Sequence, residues 1–203
     1  ISAASENLKL KTLLNKIDKN TINTATNDIN KYTSYLSNTI NDFKNFYKTN
    51  KSKELTNLNE MAEKSLNIIE DSITFRNIRI IKNLKSTSSI ETFMSEVTQV
   101  ILTLLQNAED ILLDKQTQNP YIKINTFENE KHLYLQVIDN GGGIPQDIID
   151  KIFDPYFSTK HEKNGTGLGL YFAKSIIENN CDALLTVENN QDEAIFTIRF
   201  KKE

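Results

Sequence analysis

Asp139-Asn140-Gly141-Gly142-Gly143-Ile144-Pro145 opens the stretch that decides how this chain reads. Ile152-Phe153-Asp154-Pro155-Tyr156-Phe157-Ser158-Thr159-Lys160 and Gly165-Thr166-Gly167-Leu168-Gly169-Leu170 complete it. All six glycines of the 203 residues lie in these pieces. Glycine is needed where the backbone takes positive φ or approaches a ligand closely. Gathering every glycine in one region implies that the region wraps something.

A nucleotide is the candidate. The alternating run Tyr134 to Ile138 reads as a strand that delivers Asp139 to its end. An ionised carboxylate there can accept a hydrogen bond from an exocyclic amine, which adenine carries and guanine lacks at the matching position. The glycines that follow let the backbone lie against a flat base. The second cluster precedes a helix-like run, Leu168 to Asn179, and backbone N–H groups at a helix start attract phosphate. Either cluster alone would equally fit a pair of tight turns. Other phosphate loops fit worse. Lys174-Ser175 follows Gly169 but lacks the second glycine of a P-loop. Gly165 to Gly169 misses the dinucleotide spacing by one residue and follows a loop rather than a strand.

With a fourth piece upstream, Gln99-Val100-Ile101-Leu102-Thr103-Leu104-Leu105-Gln106-Asn107-Ala108-Glu109-Asp110, the chain resembles the sensor histidine kinases. These belong to the GHKL ATPases, with gyrase and the MutL-type repair proteins. The four pieces look like their N, G1, F and G2 boxes, in order and at plausible spacing. Weaker likeness extends over the rest of the chain. Ile1-Ser2-Ala3-Ala4 resembles the tail of a helix that in a subset of bacterial kinases begins His-Gln-Trp-Arg-Gln-Pro, and Leu36 to Phe43 resembles the second helix of that subset.

Composition sets the frame around these motifs. A net charge of −3, with 25% charged residues, gives no basic field for nucleic acid. No apolar run approaches the roughly 18 residues of a membrane helix, and no signal peptide is visible, so no membrane contact is expected of this piece. The single cysteine, Cys181, excludes an internal disulfide framework and suits a reducing compartment. The chain starts at Ile1, not Met, and is read as a fragment.

Two segments follow from periodicity. Residues 1–50 read as a helical hairpin: a short helix to about Leu14, a polar break in which Asp18 or Asn20 can cap, and a long helix over 21–49. The long helix repeats apolar residues at Ile22, Ala25, Ile29, Tyr32, Leu36, Ile40, Phe43 and Tyr47 in steps of three and four. At 1.5 Å per residue it spans about 40 Å, longer than the face of a small domain. Pairing of two hairpins into a four-helix bundle is therefore expected. After a polar hinge, 51–53, residues 54–203 read as a globular domain. Helices are expected over 58–74, from Glu91 or Thr92 to Asp114, and over 168–179. Strands are expected over 78–84, 121–127, 132–138, 183–187 and 194–200. That order gives an α+β sandwich, a mixed sheet covered on one face by three helices, which agrees with the Bergerat-type fold the resemblance implies.

The resemblance also implies roles. Asp139 would select adenine, and Gly141, Gly143 and Ile144 would shape the base pocket. Asn107, with Asp110 a turn beyond it, would face the nucleotide from the long helix, and Asn107 would hold Mg²⁺. Gly165, Thr166, Gly167, Leu168 and Gly169 would line the phosphates. Lys160, in the lid, would pair with one, though a solvated loop lysine reads almost as well. Phe153 and Phe157 would anchor the lid by packing. Thr103 departs from relatives with a second Asn at that position, Ile111 from those with a tyrosine near the base, and Cys181-Asp182 from a common Gly-Gly turn. Mg-ATP and ADP are the implied ligands. The implied activity is phosphoryl transfer to histidine, then to an aspartate of a response regulator receiver domain. No catalytic residue of this chain is assigned: His132 falls on a strand and His161 in the lid, so the acceptor histidine would lie upstream of Ile1. The implied location is cytoplasmic, with anchoring of the parent protein in the inner membrane left open. The rival readings are a GHKL ATPase that drives a clamp and a nucleotide-binding scaffold without kinase activity.

Overall fold

The structure, a computed structural model, describes residues 2–14, 18–46, 52–159 and 166–202. It divides into two compact units, Ile1–Lys48 with Tyr156–Leu168, and Thr49–Pro155 with Gly169–Glu203.

In the first unit, α1 (Ser2–Leu13) and α2 (Lys19–Phe46) pack on each other. Asp18 caps α2: its Oδ1 accepts the Thr21 N–H at 2.6 Å, which holds the carboxyl below its ordinary range. Ala25 is buried and Ile29 half-buried, whereas Ile22 stays 47% exposed. Tyr47, the last apolar position expected on this helix, lies outside the described residues.

The second unit is built on a five-stranded sheet. Its strands are β2 (Arg79–Leu84), β4 (Tyr121–Glu128), β5 (His132–Asp139), β6 (Leu184–Asn190) and β7 (Glu193–Lys201), ordered β2-β4-β5-β7-β6. Only β2 and β4 run parallel; the other neighbours are antiparallel. The register explains the burial. Ile124, Val137, Phe196 and Val187 form one cross-strand row, and Thr126, Leu135, Ile198 and Leu185 form the next. These residues share the face that packs against α3 (Leu58–Phe75) and α4 (Met94–Asp114). The opposite face carries a polar row, with Asn83, Asn125, Gln136 and Thr197 joined in sequence by side-chain hydrogen bonds of 3.1, 3.3 and 3.2 Å.

The helices follow their apolar spacing. α3 buries Leu58, Met61, Ala62, Leu66, Ile69 and Ile73, and Asn57 caps it by accepting the Glu60 N–H at 2.9 Å. α4 buries Val97, Val100, Ile101, Leu104, Leu105, Ala108 and Leu112 on one side. The α+β sandwich is therefore present, but its first part differs from the sequence reading. A two-stranded antiparallel ribbon, β1 (Glu54–Asn57) with β3 (Ser89–Thr92), replaces the expected loop and helix start. Its four-residue strands are too short to show alternation, and Thr56 and Thr92 are buried in it. As a consequence α4 starts at Met94, not Glu91 or Thr92, with Phe93 at its cap position and no side-chain cap.

The cap and the core should separate in denaturant unfolding. Asn57→Ala removes one local hydrogen bond and is expected to cost about 1 kcal/mol. Leu105→Ala leaves a cavity under α4 and is expected to cost about 2–5 kcal/mol.

Candidate functional site

Asp139 is the last residue of β5 and lies on the helix-covered face, in one row with Ile122, Ala194 and Asn189. It is 4% exposed. Its Oδ1 accepts the Gly141 N–H at 2.9 Å, and its other oxygen takes no hydrogen bond among the described residues. Burial pushes the carboxyl up to about 6; the Gly141 N–H and the Lys115 ammonium oppose that rise, and Glu193 adds to it. A carboxylate that is both desolvated and half-satisfied is poised to accept one strong donor.

The loop after Asp139 has no room for side chains at its start. A Cβ on Gly141 would lie 2.2 Å from Ile111 Cγ2, so the Ile111 side chain itself closes over this backbone. Four tethers fix the path beyond. Lys115 Nζ donates to Gly141 O at 2.6 Å. Gly142, at φ +83°, donates its N–H to Asp192 O at 2.8 Å. Asn189 pairs with Ile144 twice, accepting its N–H at 2.9 Å and donating to its carbonyl at 2.7 Å. Asn140 accepts the Tyr121 N–H at 2.8 Å and donates to Asn119 O at 3.3 Å. Lys115 and Asn189 were not among the residues singled out in the sequence. Lys115 follows the N-box helix, and Asn189 reads there as a turn residue of the β6–β7 hairpin.

α4 supplies the wall beside this loop. Asn107 is half-buried and Asp110 exposed on it. Thr103 turns its hydroxyl back to Gln99 O at 3.0 Å, and its methyl lies 3.4 Å from where a Cβ on Gly169 would sit. Gly169 begins α5 (Gly169–Ser175), so the threonine methyl sets the approach of that helix. The helix expected over 168–179 is present over 169–180, but after seven residues it widens into a π turn, Ile176–Asn180. The Asn180 side chain donates to both oxygens of the buried Glu96 at 3.1 Å, which fixes the widened end against α4. Asp182 then takes φ +50°, the left-handed position for which glycine is usual. Phe153 packs edge-on against Phe196, with Lys174 Nζ 4.7 Å from its ring centre, as expected of a packing anchor.

Of the G2-like residues, Thr166, Gly167 and Leu168 fall in the first unit and Gly169 in the second. Gly167, at φ +67°, lies so close to the Tyr156 and Phe157 carbonyls that a Cβ would meet backbone at 2.4 Å. Thr166 Oγ1 accepts the Leu168 N–H at 3.2 Å, and Leu168 is buried. Lys160, His161 and Gly165 lie outside the described residues. An open cavity of about 580 Å³ adjoins the glycine loop, lined by Lys115, Tyr121, Gly141, Gly142, Asp192 and Glu193 among others. Asn107 and Asp139 are not among its lining residues. There Tyr121 donates to Glu193 at 2.6 Å, and that bond pushes the phenol up to about 12. Among the described residues no cluster of His, Cys, Asp or Glu could hold a metal, and no helix is long and apolar enough to cross a membrane.

Residues 94–203 match the family described as histidine kinase-, DNA gyrase B-, and HSP90-like ATPase. The chain belongs to that family, and its fold is that of the catalytic domains of sensor histidine kinases. Membership makes this an ATP-binding domain. The putative sensor histidine kinase NtrY-like of Rickettsia bellii (strain RML369-C) is 33% identical over 109 residues, which are 54% of this chain and 17% of that protein. The chain thus spans a small part of that relative's length. The nucleotide-free catalytic domain of histidine kinase ThkA superposes with a TM-score of 0.65 at 28% identity, covering 74% of this chain and 95% of that one. ThkA in complex with the response regulator protein TrrA shares the fold at 21% identity, TM-score 0.67, over 100% of this chain and 57% of that one.

The state of Asp139 can be tested without any ligand. The folded protein holds this proton up to about pH 6, whereas the unfolded chain releases it near 3.8. Between those values the native state binds more protons, so its stability falls as pH rises through the window, by a total on the order of 2–3 kcal/mol. Urea unfolding of wild type and Asp139→Asn from pH 4 to 7 should show the wild type losing ground to the variant. Parallel curves would mean that Asp139 titrates normally.

Proposed function

We propose that the chain is the catalytic portion of a two-component sensor histidine kinase. In this reading residues 54–203 bind Mg-ATP, and residues 1–50 pair with a second copy. The parent would pass phosphoryl to a histidine outside this chain and then to a response regulator receiver domain. Its placement would be cytoplasmic.

The observation that carries the reading is the buried, half-satisfied Asp139 at the head of a glycine loop that starts in contact with Ile111. The residues fit adenine: one carboxylate oxygen takes the loop N–H, and the other is left for a 6-amino donor. Gly141, Gly143 and Ile144 form a backbone wall pinned from behind. Asn107, the nearby amide on α4, suits Mg²⁺ because a neutral oxygen ligates without repelling phosphates, and Asp110 borders it. Gly165, Thr166, Gly167, Leu168, Gly169 and Lys160 are assigned to the phosphates by motif alone. ATP, when bound, supplies the transferable γ-phosphoryl group. The protein's part is to hold and orient it.

Thr103 favours a kinase over a clamp ATPase. Its hydroxyl is turned back into α4, and no carboxylate stands one turn before Asn107 to activate water. His132 lies on β5 beside the Tyr134 ring rather than on a helix. Incubation with γ-labelled ATP should therefore leave this chain unlabelled, with hydrolysis slow at best, while a version extended through the acceptor helix should take up acid-labile label. Acid-labile label on the 203 residues alone would place the acceptor at His132 or His161.

Base selection gives a direct test. Calorimetry should find ADP binding with Mg²⁺ and GDP binding far worse, and Asp139→Asn should cost about 1.5–3 kcal/mol in ADP affinity. Unchanged ADP affinity in that variant would remove Asp139 from the site.

The dimer reading is supported by apolar side chains the hairpin does not cover: Leu10 is 58% exposed, Leu13 76% and Ile22 47%. Replacing Leu13 and Ile22 together by Lys should give a species that sediments as a monomer and still binds ADP. A variant that sediments like the parent would show that the seam lies elsewhere.

A further inference from the structure

We infer that Lys115 is a positioning residue for base recognition, holding the glycine loop so that Asp139 can discriminate the base. Lys115 caps the C-terminus of α4, where a cation also opposes the helix dipole. Its ammonium bridges two carbonyls on either side of Gly142, Gly141 O at 2.6 Å and Gly143 O at 3.5 Å. The bond to Gly141 is as short as a charge-assisted hydrogen bond becomes, and a freely solvated lysine would not form it. The residue it pins is the one whose N–H binds Asp139 Oδ1, so cation, loop and carboxylate form one chain of contacts. The far side of the loop is held independently by Asn189 at Ile144. Removing Lys115 thus loosens the Gly141 carbonyl, while Asn140 on one side and Gly142 on the other stay tethered.

This inference rests on the assignment of Asp139 as the base-reading group, and the experiment separates the two. The probes are ADP and purine riboside 5′-diphosphate, which lacks the 6-amino group, titrated with Mg²⁺ into wild type, Asp139→Asn, Lys115→Met and Lys115→Arg. Wild type should prefer ADP at least tenfold. Lys115→Met should lose most of that preference, weakening ADP about tenfold while changing the analogue less than twofold. The retained analogue affinity reports an intact fold. Lys115→Arg, which restores a charged donor, should recover most of the preference. If wild type does not discriminate, the Asp139 assignment and this inference both fall. If Asp139→Asn abolishes discrimination but Lys115→Met keeps it, only the inference falls. It falls equally if Lys115→Met weakens both ligands alike or if Lys115→Arg restores nothing.

Discussion

The constraint on which the larger unit turns is a carboxylate on the wrong side of a sheet. Asp139 continues the parity of Leu133, Leu135 and Val137, all buried under the helices. Keeping an ionised group there is costly, and its raised pKa reports that cost. The protein leaves the cost largely unrelieved. One backbone N–H and a cation that bonds the loop rather than the carboxylate are the compensation among the described residues. Buried polar groups in a purely structural role are normally satisfied. On the reading proposed above, the oxygen left over at this strand end is the one that takes the ligand's donor.

The rest of the architecture supplies rigidity around that point. α4 lies across the sheet by an uninterrupted apolar stripe, so its polar residues Thr103, Asn107 and Asp110 fall on the remaining sides of the helix. The sheet's opposite face is tied by the amide and hydroxyl row from Asn83 to Thr197. The Glu96 and Asn180 pair fixes the widened end of α5 against α4. With scaffold on both sides, the loop from Gly141 to Ile144 is held by Lys115, by Asn189 and by the backbone bond from Gly142 to Asp192. Preorganisation of this kind lowers the ordering cost of binding.

Much of this was legible in the sequence because it rests on local signals. The apolar stripes of α3 and α4, the alternation of β4 and β5, and the glycine clusters each lie within a short window. Asp139 itself could be read from a strand ending in a glycine run. What escaped depends on long-range register. Asn189 reaches Ile144 only because β6, β7 and β5 set it in one row with Asp139 and Ala194, and nothing near residue 189 in the sequence says so. Lys115 is one lysine among many until the end of α4 is placed beside Gly141. The β1–β3 ribbon joins segments more than thirty residues apart, and each strand is too short for a period. The π turn depends on the reach of Asn180 to Glu96, which helical periodicity does not encode.

Thr103 shows how one substitution in a shared fold can bear on chemistry. The resemblance to clamp ATPases calls for a carboxylate one turn before Asn107. A threonine there has a short side chain with two groups, and the structure uses both: the hydroxyl bonds Gln99 O, and the methyl meets the start of α5 at Gly169. Swinging the hydroxyl outward would break a helix-internal bond and bring a polar group against the glycine backbone. On the reading proposed above, the position thus contributes packing beneath the phosphate-facing helix and no base. An oriented nucleotide with no base beside it is poorly suited to activating water. It is better suited to a nucleophile that arrives from elsewhere and is already competent near neutral pH, as a neutral imidazole is. On that reading, the same threonine that tightens the junction of α4 and α5 favours transfer to an external histidine over hydrolysis.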